Sequence, residues 1–212
     1  MKNLVLVVAI AVALVCSNAN AQSAYQTDDG TSETSVGTGA VGPVGWGNIF
    51  AVDPTATELD SIEIGFGASA LGDTANWYVY NDDDGDPTAG LSLLATGSFT
   101  VANDHLATGV TEVVSLGGLD ISGDSFVFIA ADTSNSLFPA AQDQSVDNPD
   151  SWVTIGLADL NGWETNGTTA PIGAFLPGNW IVRGNVAAAV PEPATAGLLA
   201  IGLVGLVSRR RR

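Results

Sequence analysis

Basic residues are few in this 212-residue chain, and almost all of them lie at its two ends. Lys2 stands near the start and four arginines form the last four residues, so residues 22–190 contain 22 acidic residues against one base, Arg183. The net charge of this segment is therefore −21, compared with −17 for the full chain. So negative a surface repels phosphate backbones and anionic lipids, which excludes nucleic acid as a partner.

Cysteine and histidine are also scarce, with one residue of each type. Cys16 lies in an N-terminal apolar stretch, so disulfides, zinc thiolate sites and cysteine nucleophiles are excluded for the rest of the chain. His105 lies in a stretch that is expected to be an exposed loop, and a Ser-His-Asp arrangement would depend on it alone. The chain is therefore predicted not to be an enzyme. A hydrolase that uses two carboxylates stays an alternative, because abundant acids always permit some suitable pair.

Residues 22–190 lack any useful length of helical periodicity. Short runs rich in Val, Ile, Phe, Trp and Thr are separated by Gly, Asp, Asn and Pro, which is typical of a β-sandwich. Ile62, Ile64 and Phe66 alternate with small or polar residues, as in a half-buried strand. About 170 residues suffice for one core. The predicted strands are residues 46–52, 58–66, 77–80, 91–101, 110–116, 125–131, 151–155 and 180–186.

The first 21 residues have the pattern of a secretory signal peptide. Lys2 is followed by an apolar run over residues 4–15, and Ala19-Asn20-Ala21 is a small-x-small cleavage site. Signal peptidase is therefore expected to cut after Ala21, which makes Gln22 the first residue of the mature protein.

The C-terminal segment has three ordered parts: Pro191-Glu192-Pro193, an uncharged stretch over residues 194–207, and a cluster of arginines. The two prolines favour a stiff extended spacer. The 14-residue apolar stretch would form a helix about 21 Å long, shorter than a hydrocarbon core of about 30 Å. By the positive-inside rule the cluster stays on the cytoplasmic side. The cluster consists of Arg209, Arg210, Arg211 and Arg212.

This tail resembles the PEP-CTERM sorting signal of exported proteins of Gram-negative bacteria. The resemblance implies that Pro191, Glu192 and Pro193 are recognised by an exosortase, a membrane-embedded transpeptidase-like enzyme, which cuts near them and removes the tail. Membrane insertion through the helix would then be transient. The alternative is an ordinary C-terminal anchor that is never cut.

Much of the remaining chain resembles a jelly-roll-like β-sandwich module of secreted bacterial proteins, which is usually non-catalytic. The similar pieces are residues 46–50, 77–94, 151–152 and 178–183. The predicted fold class is all-β: a single antiparallel β-sandwich between an N-terminal signal peptide and a short C-terminal hydrophobic helix. The predicted divisions are signal peptide 1–21, flexible lead-in 22–42, β-sandwich 43–186, linker 187–190 and sorting signal 191–212.

These patterns predict an exported protein of the cell surface or extracellular matrix with a structural or binding role. Its expected partners are signal peptidase and exosortase, with surface polysaccharide as a further candidate. A calcium-dependent carbohydrate-binding module is an alternative function. No cofactor is assigned with certainty, and calcium is the one candidate.

The calcium hypothesis comes from the dense acidic turn formed by Asp82, Asp83, Asp84 and Asp86. Crowded carboxylates repel one another, and a calcium ion, which takes six to eight oxygen ligands, would relieve that repulsion. The spacing fails the EF-hand pattern, because Leu91 stands where the twelfth-position glutamate belongs. A solvated hairpin loop is the alternative interpretation. Weaker candidates are Asp28-Asp29 and the series Asp143, Asp147 and Asp150.

Two further sets of residues have predicted structural roles. Arg183 is expected to pair with one or more carboxylates, and an anion clamp is the alternative. Four of the five tryptophans lie in predicted strands, where they would fill the core. Trp163 is the one expected in a loop.

Overall fold

The computed structural model describes residues 25–39, 43–121, 123–131, 137–155 and 168–186, and these form twelve strands and one short helix. The strands are β1 Thr34–Val36, β2 Val44–Ala51, β3 Glu58–Ile64, β4 Thr74–Asp82, β5 Ser92–Thr100, β6 Glu112–Asp120, β7 Asp124–Ala131, β8 Ala140–Asp143, β9 Ser151–Ile155, β10 Thr168–Pro171, β11 Asn179–Trp180 and β12 Val182–Val186. The short helix is the α-helix α1, His105–Thr108, and two single 3-10 turns, Ala68–Ala70 and Ile172–Ala174, accompany it.

The largest sheet has six strands in the order β10-β9-β2-β7-β4-β5, and every neighbouring pair is antiparallel. Its central strand β2 places Trp46 opposite Ile129 of β7 and Val153 of β9. All three side chains belong to the buried core. Alternation along the strands thus gives this sheet one face that packs into the core.

Two three-stranded sheets, β12-β3-β6 and β1-β8-β11, are also antiparallel. They contribute Ile62, Ile64, Val182 and Trp180 to the same cluster of buried side chains as the large sheet. The prediction of an all-β antiparallel fold is confirmed. The signal peptide and the C-terminal helix that the prediction added lie outside the described residues.

The packing between sheets is tight at Gly65, directly after β3. A Cβ atom at this position would lie 2.7 Å from Cβ of Ile181 and 3.2 Å from Cβ of Ala141. Gly65 N–H donates to the Ile181 carbonyl at 2.7 Å, and Ala141 N–H donates to the Gly65 carbonyl at 3.2 Å. Glycine is therefore required here for the close approach of three chain segments.

The predicted flexible lead-in over residues 22–42 needs correction, because its described part belongs to the folded domain. Tyr25 is 5% exposed and forms a β-bridge with Gly184. Strand β1 pairs with β8, with Thr34 opposite Gln142. The Ser, Thr and Gly content suggested fraying, but one buried aromatic ring and paired backbone groups hold this segment in place. One compact unit accordingly spans Ser23–Val186.

Candidate functional site

The acidic turn lies between β4 and β5, as the sequence predicts. Asp82 is the last residue of β4 and stands opposite Asp124 of β7. Asp82 is fully buried, whereas Asp83, Asp84 and Asp86 are exposed. The four predicted metal ligands therefore occupy two very different environments.

Asp82 has one satisfied and one unsatisfied oxygen. Its Oδ1 accepts the backbone N–H groups of Asp84 at 3.2 Å and Gly85 at 3.1 Å. Its Oδ2 is buried and has no hydrogen-bond partner. Burial raises the pKa of Asp82, and the neighbouring carboxyl of Asp84 raises it further, although the two backbone N–H groups lower it. The environment thus disfavours an isolated negative charge at this position.

The other acids of the turn are hydrogen-bonded to nearby groups. Asp84 Oδ1 accepts the N–H of Asp86 at 3.0 Å, and Asp83 Oδ1 accepts from Asn81 Nδ2 at 2.7 Å. Asp86 Oδ1 accepts the hydroxyl of Thr88 at 2.6 Å and its N–H at 3.0 Å, and these bonds lower the pKa of Asp86. Such contacts are those of an ordinary acidic turn, so metal binding by Asp82, Asp83, Asp84 and Asp86 stays a prediction.

A second acidic group joins residues far apart in the sequence. Among the described residues, Asp29, Glu33 and Asp143 are the one set of three whose ligand atoms lie within 4.8 Å of one another. Both Asp143 oxygens are bonded: Oδ2 accepts the N–H of Asp29 at 2.9 Å, and Oδ1 accepts the N–H and hydroxyl of Ser145 at 2.7 and 2.6 Å. The Thr31 hydroxyl and N–H lower the pKa of Asp29. Over a hundred residues separate Asp29 from Asp143, so no local motif could reveal the group.

The prediction that Arg183 pairs with carboxylates is confirmed. Its Nε donates to both carboxylate oxygens of Asp28, at 3.0 and 3.1 Å, and Nη2 also contacts Oδ1. Nη1 lies 3.6 Å from Oε2 of Glu63. Burial lowers the pKa of Arg183, but Asp28 and then Glu63 outweigh it, so the net shift is upward. The guanidinium therefore joins the N-terminal segment to β12 and β3.

The prediction that His105 is an exposed loop residue is wrong. Asp104 caps α1 by accepting the N–H of Leu106 at 3.1 Å, and Gly109 ends the helix with a φ of 67°. His105 is 2% exposed, and its Nδ1 lies 2.9 Å from the Ser32 hydroxyl oxygen. Burial and then the charge of Arg183 lower its pKa, so the ring is neutral at pH 7. A helix of four residues is too short to show helical periodicity in the sequence, so the loop was predicted in its place.

The tryptophans that the structure describes lie in strands. Trp46 and Trp180 are fully buried, which confirms their predicted core role, and Trp77 and Trp152 are partly buried. Trp46 and Trp180 line an apolar cavity of about 220 Å³. Their ring faces are not free to stack against a sugar. Trp163 lies outside the described residues.

Comparison with known protein families gives one match, to the PEP-CTERM protein-sorting motif, over residues 189–212. The chain carries a PEP-CTERM sorting motif. The match includes Pro191, Glu192 and Pro193 and the four terminal arginines. The PEP-CTERM motif implies export and sorting to the cell surface, with an exosortase as the processing partner.

Comparison with curated proteins gives no match. One similar solved structure contains the cysteine protease and lectin-like domains of Cwp84, a surface layer associated protein of Clostridium difficile. The TM-score is 0.51 at 14% identity, and the match covers 69% of this chain and 32% of that chain. At this identity the likeness concerns the fold alone. The chain matches only about a third of that protein's structure.

The predicted processing residues lie outside the described part of the chain, so the structure places none of them. Signal-peptide cleavage between Ala21 and Gln22 stays a prediction, as does the role of Ala19. In the described residues no helix is both long enough and apolar enough to cross a membrane. The predicted helix over residues 194–207 is not among them.

Proposed function

We propose that this chain is a non-catalytic protein of the cell surface or extracellular matrix, which an exosortase separates from its C-terminal tail after export. The observation that carries the proposal is the position of the sorting motif. The motif starts at residue 189, and the last strand of the folded domain, β12, ends at Val186. A cut near Pro191–Pro193 therefore removes no described strand.

Two properties of the folded domain support a non-catalytic role. The chain's one histidine is 2% exposed, so it cannot exchange a proton with a bound substrate. Arg183 forms ion pairs with Asp28 and Glu63. Both groups therefore stabilise the fold, and a structural or binding role fits them better than hydrolysis.

The mass of the mature protein from its producing bacterium tests the proposal. We expect a form that begins at Gln22 and lacks the residues after the Pro191-Glu192-Pro193 motif. Replacement of this motif by three alanines, or deletion of the exosortase, should leave the tail attached. Pro54→Ala, which changes an exposed proline of the folded domain, is the control and should be processed normally. A surface form that retains Arg212 in wild-type cells would contradict exosortase processing.

A further inference from the structure

The turn between β4 and β5 contains a buried carboxylate oxygen that lacks a positive partner. Asp82 is 0% exposed, and its Oδ2 receives no hydrogen bond. A buried ionised oxygen without a partner is unfavourable, because it has lost its hydration and gained nothing in return. Either a proton or a cation is therefore needed beside this oxygen. The carboxylate group of Asp82 is fixed, since two backbone N–H groups of the turn bind its Oδ1.

Two other carboxylates belong to residues beside Asp82, one in the turn and one on the neighbouring strand. Asp84 follows Asp82 by two positions in the turn, and its N–H donates to Asp82 Oδ1 at 3.2 Å. Asp124 comes from a different strand and stands opposite Asp82 in the β4–β7 register. Its Oδ2 lies 3.5 Å from the position that a Cβ atom of Gly85 would occupy. The Asp124 carboxylate therefore lies beside the turn, at an ordinary van der Waals distance from that position.

We propose that Asp82, Asp84 and Asp124 bind a calcium ion in this turn. Calcium prefers carboxylate oxygens in flexible geometry and completes its shell with water. Asp82 supplies the fixed buried oxygen. The carboxylate oxygens of Asp82, Asp84 and Asp124 are not a set that lies within 4.8 Å of one another in the described residues. The exposed side chain of Asp84 therefore rotates to reach the ion, and its Oδ1 gives up the single N–H of Asp86 that it accepts. Asp86 is left out because the hydroxyl and N–H of Thr88 bind its Oδ1.

The site differs from the group of Asp29, Glu33 and Asp143. In that group the buried member, Asp143, has both oxygens hydrogen-bonded to protein groups. An ion there would have to displace existing bonds, whereas Asp82 offers an oxygen that has none. We therefore place the calcium ion at the β4–β5 turn.

Calcium titration of the purified full chain, after treatment with a chelator, tests the site. A calcium concentration about 100 times the dissociation constant should raise the melting temperature by about 5 to 10 °C. Asp82→Asn keeps an oxygen for the two N–H groups but removes the charge, so this variant should lose the shift. Asp60→Asn removes one exposed acidic group elsewhere, and Asp29→Asn alters the second acidic group. Both should keep the shift.

Four results would overturn the proposal. One is the absence of both calorimetric heat and a melting shift at millimolar calcium. Another is a full calcium response in Asp82→Asn. The third is a response that disappears in Asp29→Asn and persists in Asp82→Asn, which would assign the ion to the other acidic group. The fourth is a wild-type chain without any calcium response, together with an Asp82→Asn variant that melts at a higher temperature than wild type in chelator. This result would show that a shared proton satisfies Asp82. None of these results depends on exosortase processing.

Discussion

Arg183 shows how one side chain serves a protein with little positive charge. Its guanidinium forms hydrogen bonds with both oxygens of Asp28 and lies near Glu63. The side chain of Asp28, which carries the carboxylate, is 0% exposed. Removal of the arginine would leave that buried charge without its cation, which is the costly way to break such a pair.

We therefore expect Arg183→Ala to lower the free energy of unfolding by about 3 kcal/mol. Arg183→Lys should recover only part of this loss, because an ammonium group cannot form the same two-pronged contact. Chemical denaturation of wild type, Arg183→Ala, Asp28→Ala and the double variant measures the coupling between the two residues. An unchanged melting temperature in Arg183→Ala would refute the structural role.

His105 gives a prediction about pH. The folded state lowers its pKa by burial, while the unfolded chain titrates near 6.5. The unfolded state therefore binds a proton first as the pH falls, and stability is lost progressively below pH 6.5, down to the folded pKa. We expect the free energy of unfolding to fall between pH 6.5 and 5.5, above the range in which carboxylates of ordinary pKa titrate.

His105→Gln is the matched variant for this prediction, because glutamine is polar and does not titrate. Its free energy of unfolding should change less over the same pH interval, as measured by urea denaturation at several pH values. Equal pH dependence in the two proteins would assign the effect to groups other than His105.

At the scale of elements, the N-terminal segment is the part that sequence patterns described least well. Tyr25 packs against Phe50 with ring centroids 5.7 Å apart. Its hydroxyl donates to the Ala56 carbonyl at 2.7 Å and accepts the N–H of Asp53 at 3.0 Å. We expect Tyr25→Ala to cost about 3 to 5 kcal/mol of stability, and Tyr25→Phe, which removes the hydroxyl, about 1 kcal/mol.

Thermal and urea unfolding of the two variants check this expectation. A freely moving lead-in would make both substitutions nearly neutral, so two unchanged melting temperatures would contradict the role of Tyr25 in the core. Equally large losses in Tyr25→Phe and Tyr25→Ala would show instead that the hydroxyl contacts dominate.

Strands with bulky alternating side chains were predictable, and short ones were not. The prediction at residues 58–66 matches β3, because Ile62 and Ile64 alternate with outward residues and are fully buried. Strands β1, β8 and β10 have three or four residues each and little bulk. Their pairing depends on distant partners, which a local pattern does not contain. For the same reason, sequence spacing could not predict that Asp124 lies opposite Asp82, or that Asp29, Glu33 and Asp143 come together.

The whole molecule separates charge between its parts. Residues 22–190 carry a net charge of −21, and the sorting motif carries four arginines. Composition and short motifs were enough to predict this division, because both are read directly along the chain. The acidic surface favours solubility outside the cell. The predicted removal of the tail would leave Arg183 as the only base of the mature protein.

The contact between the two ends of the domain has a consequence for the timing of folding. Tyr25 bridges to Gly184, and Asp28 pairs with Arg183 across 155 positions of sequence. A chain that emerges from the membrane N-terminus first thus cannot complete these contacts until residue 184 has crossed. Contacts of such long range also make folding slow. The domain can therefore finish folding only after residue 184 has crossed the membrane, when the sorting motif at residues 189–212 is next to cross.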